Sequence, residues 1–363
     1  MKISFPVMGN SYVVFKQLVE NLGHEAIVPP LPTDKTLTLG TMYAPEFACI
    51  PFKIMLGSYL EAIEKGAEVI ISSGGHGPCR AGYYGILHQK IIEDLGYDTK
   101  VVIFDSLLKS GKEFVSKIRW LLKTGKKNWL HLGKILRTAW IQLKALDDLE
   151  VLSYQIRPRE LSRGKTTQVY RQCLKLMEKA VTISEVKKTH RACKEMLQKI
   201  PQDHEKEPLK IGIIGEIYVL IEPFANLDIQ ATLGEMGAYT ERSMHLYHWL
   251  TENTKVSREE RKIIELAQPY LGEMIGGHGI NSIGETVSFA QRGFDGVIQL
   301  APFSCIPEIV AKGILPRVSE IEDIPVMTIF LDEMMGKAGM QTRLEAFVDL
   351  LSQRREYKLA KVL

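Results

Sequence analysis

Three of the five cysteines stand beside proline. Cys49-Ile50-Pro51 and Cys305-Ile306-Pro307 repeat one tripeptide, and Cys79 lies between Pro78 and Arg80. Each precedes a run with helical character. The positive end of a helix dipole favours thiolate over thiol, so all three are placed where sulfur can act as a ligand or nucleophile. One reading treats each as a separate small buried residue, since free cysteine is among the most buried types. The other joins them in one metal site. Soft thiolates select zinc or iron–sulfur clusters. A cubane takes four ligands, so three cysteines leave one iron for water, substrate or a non-cysteine ligand. Zinc would complete a Cys₃His set with His76 or His278. The spacing does not choose between the metals. Cys173 and Cys193 lie in charge-rich helical contexts and read as ordinary helix residues.

Other residues carry chemistry of their own. Glu216 directly follows an apolar strand, Ile211 to Gly215. It reads either as a proton donor or acceptor at a cleft or as a loop carboxylate that caps a helix. His76 and His278 each sit in a Gly-His-Gly loop. Such a histidine can hydrogen-bond a ligand sulfur, move a proton, or satisfy loop backbone. The loop from Gly276 to Gly284 lacks the G-x-x-x-x-G-K-[ST] pattern, and no G-x-G-x-x-G opens a helix after a strand there. Any ATP therefore belongs to a partner.

The elements that must position these residues are legible as alternating runs. Ile3 to Val7, Glu25 to Val28, Glu68 to Ile71 and Lys100 to Phe104 read as strands. Between them, helices are expected from Asn10 or Ser11 to Gly23, from Phe52 to Lys65 and from Tyr84 to Leu95. A second unit begins at Lys210, with strands Ile211 to Gly215, Asp295 to Leu300 and Pro325 to Phe330. Asn226 is placed to cap a helix running to Gly237. Ser282 with Glu285, and Thr342 with Glu345, have capping-box spacing and predict helix starts. Strands alternating with helices argue βαβ units and parallel sheets. The fold class expected is α/β: two Rossmann-like parallel-sheet domains with a helical insertion. The domains fall at 1–106, 107–206 and 207–363.

The stretch from Leu107 to Leu146 is basic, with Glu113 as its only acidic residue, and carries Trp120, Trp129 and Trp140. It reads first as core packing with a solvated basic face, next as a partner surface, and last as a nucleic-acid surface. Over all 363 residues, 46 basic and 43 acidic side chains nearly balance, which gives no argument for nucleic acid. No run approaches about 18 apolar residues, so no membrane span is expected. Proline and polar residues come too early at the N-terminus for a secretory signal. A reducing cytoplasm is therefore expected, where a disulfide framework is not.

At these residues the chain resembles the 2-hydroxyacyl-CoA dehydratase component family, in its activase-associated branch. The resemblance rests on Cys49-Ile50-Pro51-Phe52-Lys53, Gly57, Lys65-Gly66-Ala67-Glu68 and Gly74-Gly75-His76-Gly77-Pro78-Cys79. It continues through Gly215-Glu216-Ile217-Tyr218 with Asn226, Gly293-Phe294-Asp295-Gly296-Val297 and Pro302-Phe303-Ser304-Cys305. It ends with Asp332-Glu333 and Thr342-Arg343-Leu344-Glu345-Ala346-Phe347. It spans both α/β halves and skips the middle helices. It implies a [4Fe–4S] cluster held by Cys49, Cys79 and Cys305, and a separate ATP-hydrolysing activator of the actin/Hsp70 type that supplies a low-potential electron. It further implies dehydration of a 2-hydroxyacyl-CoA or reduction of a small molecule, with a homo- or heterodimer. The double cubane of related proteins needs more cysteines than these three. Two other functions use the same cysteines: an electron relay for an activase, and a zinc-stabilised binding protein.

Overall fold

Short apolar runs become the strands of two parallel sheets in the computed structural model, which describes residues 1–74, 79–104, 107–252 and 258–362. In chain order the elements are β1 (Lys2–Ser4), α1 (Ser11–Asn21), β2 (Glu25–Ala26), α2 (Asp34–Tyr43), α3 (Ile50–Glu64), β3 (Val69–Ser73), α4 (Ala81–Asp94) and β4 (Lys100–Phe104). Four long helices follow: α5 (Leu107–Thr124), α6 (Trp129–Ile156), α7 (Lys165–Met177) and α8 (Ile183–Gln198). Then come β5 (Leu209–Gly215), α9 (Ile217–Ile221), α10 (Ile229–Glu235), β6 (Ala238–Arg242), α11 (Leu246–Glu252), α12 (Arg258–Ala267) and α13 (Gly279–Gln291). The chain closes with β7 (Gly296–Pro302), α14 (Ile306–Ile321), β8 (Val326–Leu331) and α15 (Lys337–Val362).

The chain forms two units. Unit 1 comprises Met1–Lys144 with Glu178–Val186, and unit 2 comprises Ala145–Met177 with Lys187–Leu363. The stretch from Leu107 to Lys199 is helical, as its composition suggests, and is shared between the units. The sheet of unit 1 has the order β2-β1-β3-β4 and that of unit 2 the order β6-β5-β7-β8; all neighbours are parallel. The fold is therefore α/β with two Rossmann-like sheets. In each, the strand order reverses beside the first strand, between β1 and β3 and between β5 and β7. Open parallel sheets bind ligands at the carboxyl ends of strands at such switch points.

Helices on both faces explain why the central strands read as continuous apolar runs. In unit 1, Ile70 and Val101 pack with Phe52, Leu56, Tyr59 and Ile92 on one face. Their neighbours Val69 and Val102 pack with Ile3, Phe5, Val19 and Leu121 on the other. In unit 2, β7 is buried along its whole length, and Val297 joins Ile214, Phe289, Leu315 and Ile324. Trp120 packs against the unit 1 sheet, whereas Trp129 is exposed. No helix among the described residues is long and apolar enough to cross a membrane.

Several local expectations need correction. Neither capping-box pair begins a helix. Two left-handed glycines, Gly276 and Gly277, turn the chain earlier, and α13 starts at Gly279. Ser282 therefore lies inside α13, its N–H donating to the His278 carbonyl. Likewise α15 starts at Lys337, and the Thr342 hydroxyl donates to the Ala338 carbonyl. Asn226 accepts from the Ile229 N–H at 3.3 Å, but α10 begins only after Leu227 and Asp228 in left-handed conformation. Helix α2 and strand β6 have no counterpart among the expected elements. Helix α2 is capped by Thr33, which exchanges hydrogen bonds with Thr36. It lies against α3 so closely that a Cβ on Gly57 would stand 1.8 Å from the Thr36 carbonyl oxygen.

Candidate functional site

Both sheets present cysteines at their carboxyl edges, and each unit builds its edge separately. In unit 1, α3 runs into β3, so its N-terminus lies at the end where β3 finishes. Cys49 is the residue immediately before α3, in extended conformation, with Pro51 in the first turn. Proline suits that position because its missing N–H would have had no helical partner. The thiol is buried, and its sulfur hydrogen-bonds the Tyr84 hydroxyl on α4. Below it lies a tight aromatic group. Phe52 meets Tyr84 edge-on with centroids 4.9 Å apart and stacks on His88 at 4.2 Å. Burial holds His88 down at about 4, so its ring is neutral, and its Nε2 meets the Phe52 carbonyl at 3.2 Å.

Cys79 is partly buried and stands two residues before α4. Its neighbour Arg80 donates to the Phe47 carbonyl at 3.0 Å and lies over the Phe47 ring. The segment from 46 to 49 is thus tied to the segment from 79 to 84 by Arg80 and by Tyr84. Both unit 1 cysteines belong to this one edge. His76 falls outside the described residues, as do Gly75, Gly77 and Pro78.

In unit 2, β7 leads through Ser304 to Cys305, the residue immediately before α14. Ser304 is left-handed at φ 66°, a strained state for a residue with a side chain. That kink ends the strand and sets Cys305 at the helix N-terminus, buried, with its N–H on the Pro302 carbonyl. The glycine loop before α13 packs on the same turn. A Cβ on Gly279 would lie 2.5 Å from the Pro307 carbonyl oxygen, and one on Gly277 would lie 2.9 Å from the Pro307 ring. His278 is therefore carried to the Cys305-Ile306-Pro307 segment, and burial lowers its ring to about 4.

Glu216 also comes to this edge. Its N–H donates to the Leu300 carbonyl of β7, and its carboxylate accepts from the Val219 N–H at 3.1 Å, capping the short α9. Burial raises it to about 7, against the pull of the Tyr218 and Val219 amides. Sequence reasoning missed its counterpart, Glu308, in the first turn of α14. That side chain is wholly buried and receives hydrogen bonds from Ser282 and Gln299. Burial pushes it up to about 7; the Gln299 and Ser282 bonds oppose the rise, and the Glu216 charge adds to it. One signal for it was present. Gln299 interrupts the apolar run of β7, and a polar side chain inside a fully buried strand needs a partner.

The remaining cysteines behave as their contexts suggested. Cys173 and Cys193 are buried on α7 and α8, each thiol facing the other's carbonyl, at 3.7 and 3.8 Å. Among the described residues, no three His, Cys, Asp or Glu side chains are gathered as a metal ion would require. Cys49 and Cys79 in unit 1, and Cys305 in unit 2, are each of a type that can ligate a metal as thiolate. Each sulfur stands just ahead of a helix N-terminus, where negative charge is favoured. No protein-family model matches the chain, and no curated protein matches it.

Proposed function

We propose that the protein is an iron–sulfur component similar to the 2-hydroxyacyl-CoA dehydratases, with Cys49, Cys79 and Cys305 as ligands to a [4Fe–4S] cluster. The observation that carries this reading is one placement repeated across two sheets. A cysteine at the carboxyl edge of a parallel sheet precedes a helix in unit 1, twice, and in unit 2, once. When bound, such a cluster supplies one-electron chemistry at low potential. A separate ATP-hydrolysing activator reduces the protein, and the substrate is an acyl-CoA or another small molecule. The work takes place in a reducing cytoplasm, with the protein as a homo- or heterodimer.

The chain's own residues have defined tasks in this reading. Cys49 is held by Tyr84 and the aromatic group beneath it. Cys305 is held by the Ser304 kink and by the loop that carries His278. Glu216 gives or takes a proton at the carboxyl edge of the unit 2 sheet, which its raised affinity for a proton near neutrality allows. His278 stays neutral there and can hydrogen-bond without bringing charge.

Iron, sulfide and zinc per chain, measured after strictly anaerobic purification, test the proposal. About four iron and four sulfide, with a brown colour bleached by dithionite, are expected. About one zinc and no colour would replace it with a structural thiolate site. Neither metal would return the three cysteines to packing roles.

A further inference from the structure

Cys173 and Cys193 meet where α7 approaches α8, and their geometry is reciprocal. Cys173 Sγ lies 3.7 Å from the Cys193 carbonyl oxygen, and Cys193 Sγ lies 3.8 Å from the Cys173 carbonyl oxygen. Each side chain thus spans the gap to the other's main chain, and both sulfurs lie between the helices. Both residues are fully buried and belong to unit 2. Cys173 sits on the buried stripe of α7, between Val169 and Met177. Cys193 sits on that of α8, between Val186 and Leu197.

The two thiols also act on each other. The hydrogen bond between them pushes the Cys173 thiol up and draws Cys193 down, with burial opposing the second effect. Cys173 therefore keeps its proton, and Cys193 is the sulfur that ionises first. Thiolate is the form that attacks an oxidant. Burial decides what the oxidised sulfur can do next. A thiol of another protein does not reach a sulfur enclosed between two helices. A small oxidant gains access during local opening of the helix pair. The thiol then within reach of the product is Cys173. The other cysteine of unit 2, Cys305, stands at the start of α14.

We propose that Cys173 and Cys193 form a reversible redox pair that closes to an intramolecular disulfide when the protein meets a peroxide. The Cys193 thiolate attacks one oxygen of hydrogen peroxide. The O–O bond breaks, and hydroxide leaves with the proton that Cys193 gave up, as water. Cys193 is now a sulfenic acid. The Cys173 sulfur displaces the sulfenic oxygen, which takes the Cys173 proton and leaves as a second water. Two thiols and one peroxide have become one disulfide and two waters. A low-molecular-weight thiol reverses the bond by exchange. In a reducing compartment the dithiol is the resting state and the disulfide a transient one. The link joins residues 20 apart in the chain, so it restrains the unfolded state and makes the oxidised protein harder to unfold. None of Cys49, Cys79 and Cys305 takes part, so the pair does not rest on the iron–sulfur reading.

Graded hydrogen peroxide on the folded full chain tests the pair, with a denaturing alkylation quench and peptide mapping. The expected product is a peptide joining Cys173 to Cys193, two hydrogens lighter than the two reduced peptides together and lost on treatment with dithiothreitol. The thermal midpoint is expected to rise with the linked fraction and to fall back on reduction. In Cys173→Ser the resolving thiol is gone, and Cys193 is expected to accumulate as sulfenic acid trapped by dimedone. Both cysteines staying open to alkylation after excess peroxide would overturn the proposal. So would a link that forms only once urea has unfolded the chain. The wild-type map decides the link by itself, and the variant decides which sulfur attacks.

Discussion

The sulfur of Cys49 hydrogen-bonds the hydroxyl of Tyr84, joining the residue that opens α3 to one in the first turns of α4. The two helices flank β3 in sequence, and Phe52 beneath them packs on Tyr84 and His88. The cysteine is thus held at the edge of the sheet by core packing as well as by its own helix. Cys173 and Cys193 have no such edge; they face each other between α7 and α8.

That contrast sets the first prediction. Cys49→Ala, Cys79→Ala and Cys305→Ala should each lose most of the iron retained by the wild type in anaerobic preparations. Cys173→Ala and Cys193→Ala should keep it. Metal analysis of the five variants, with circular dichroism to confirm folding, decides the matter. Full iron in Cys305→Ala would remove that residue from the ligand set.

Stability should depend on pH with opposite signs at two places. Glu308 is raised from 4.5 to about 7 in the folded chain. Its contribution is complete below about 4.5 and is lost as pH rises through 7. His88 is lowered from 6.5 to about 4. Its contribution is complete above 6.5 and is lost as pH falls toward 4. Urea midpoints measured across this range should fall less steeply on the alkaline side in Glu308→Gln than in the wild type. The His88 ring resonances should show no titration near 6.5; a midpoint there would contradict its burial as a neutral group.

Gly57 should tolerate no side chain. It sits where α3 crosses α2, and an added Cβ would meet backbone, which cannot swing aside as a side chain can. Gly57→Ala should lower stability by about 1–3 kcal/mol or more, the range for overpacking a close contact. Thermal unfolding against the wild type provides the check, and an unchanged midpoint would show that α2 can shift.

Arg242 and Glu150 form a buried ion pair inside unit 2, with Tyr154 donating to Glu150 at 2.9 Å and Gln230 accepting from Arg242 at 3.4 Å. Removing one partner strands the other charge away from water. Glu150→Ala should cost about 3–5 kcal/mol, far more than loss of an exposed pair such as Lys90 with Asp94. Denaturation of Glu150→Ala beside Asp94→Ala tests the difference, and equal effects would refute it.

By itself the amino-acid sequence determined the α/β class and the placement of the cysteines. Ile211 to Gly215 is apolar without alternation, and so is Gly296 to Pro302 apart from Gln299, because helices cover both sheet faces, and that pattern is local. Proline after Cys49 and Cys305 marks helix starts for equally local reasons. Tertiary structure decided what neighbours in space must decide. Strand β6 escaped notice because its buried positions include Thr240 and Arg242, and Arg242 is inside only because α6 supplies Glu150. Ser282 looked like a helix cap because its spacing to Glu285 is right. Its hydroxyl instead reaches Glu308, 26 residues away, because the left-handed glycines had already started the helix. Glu308 carries no signal of its own in the sequence, where it is the acid that follows Cys305-Ile306-Pro307. Its burial, and so its hold on a proton, comes from Gln299 and Ser282 closing over it, contacts made only when α13, β7 and α14 pack together.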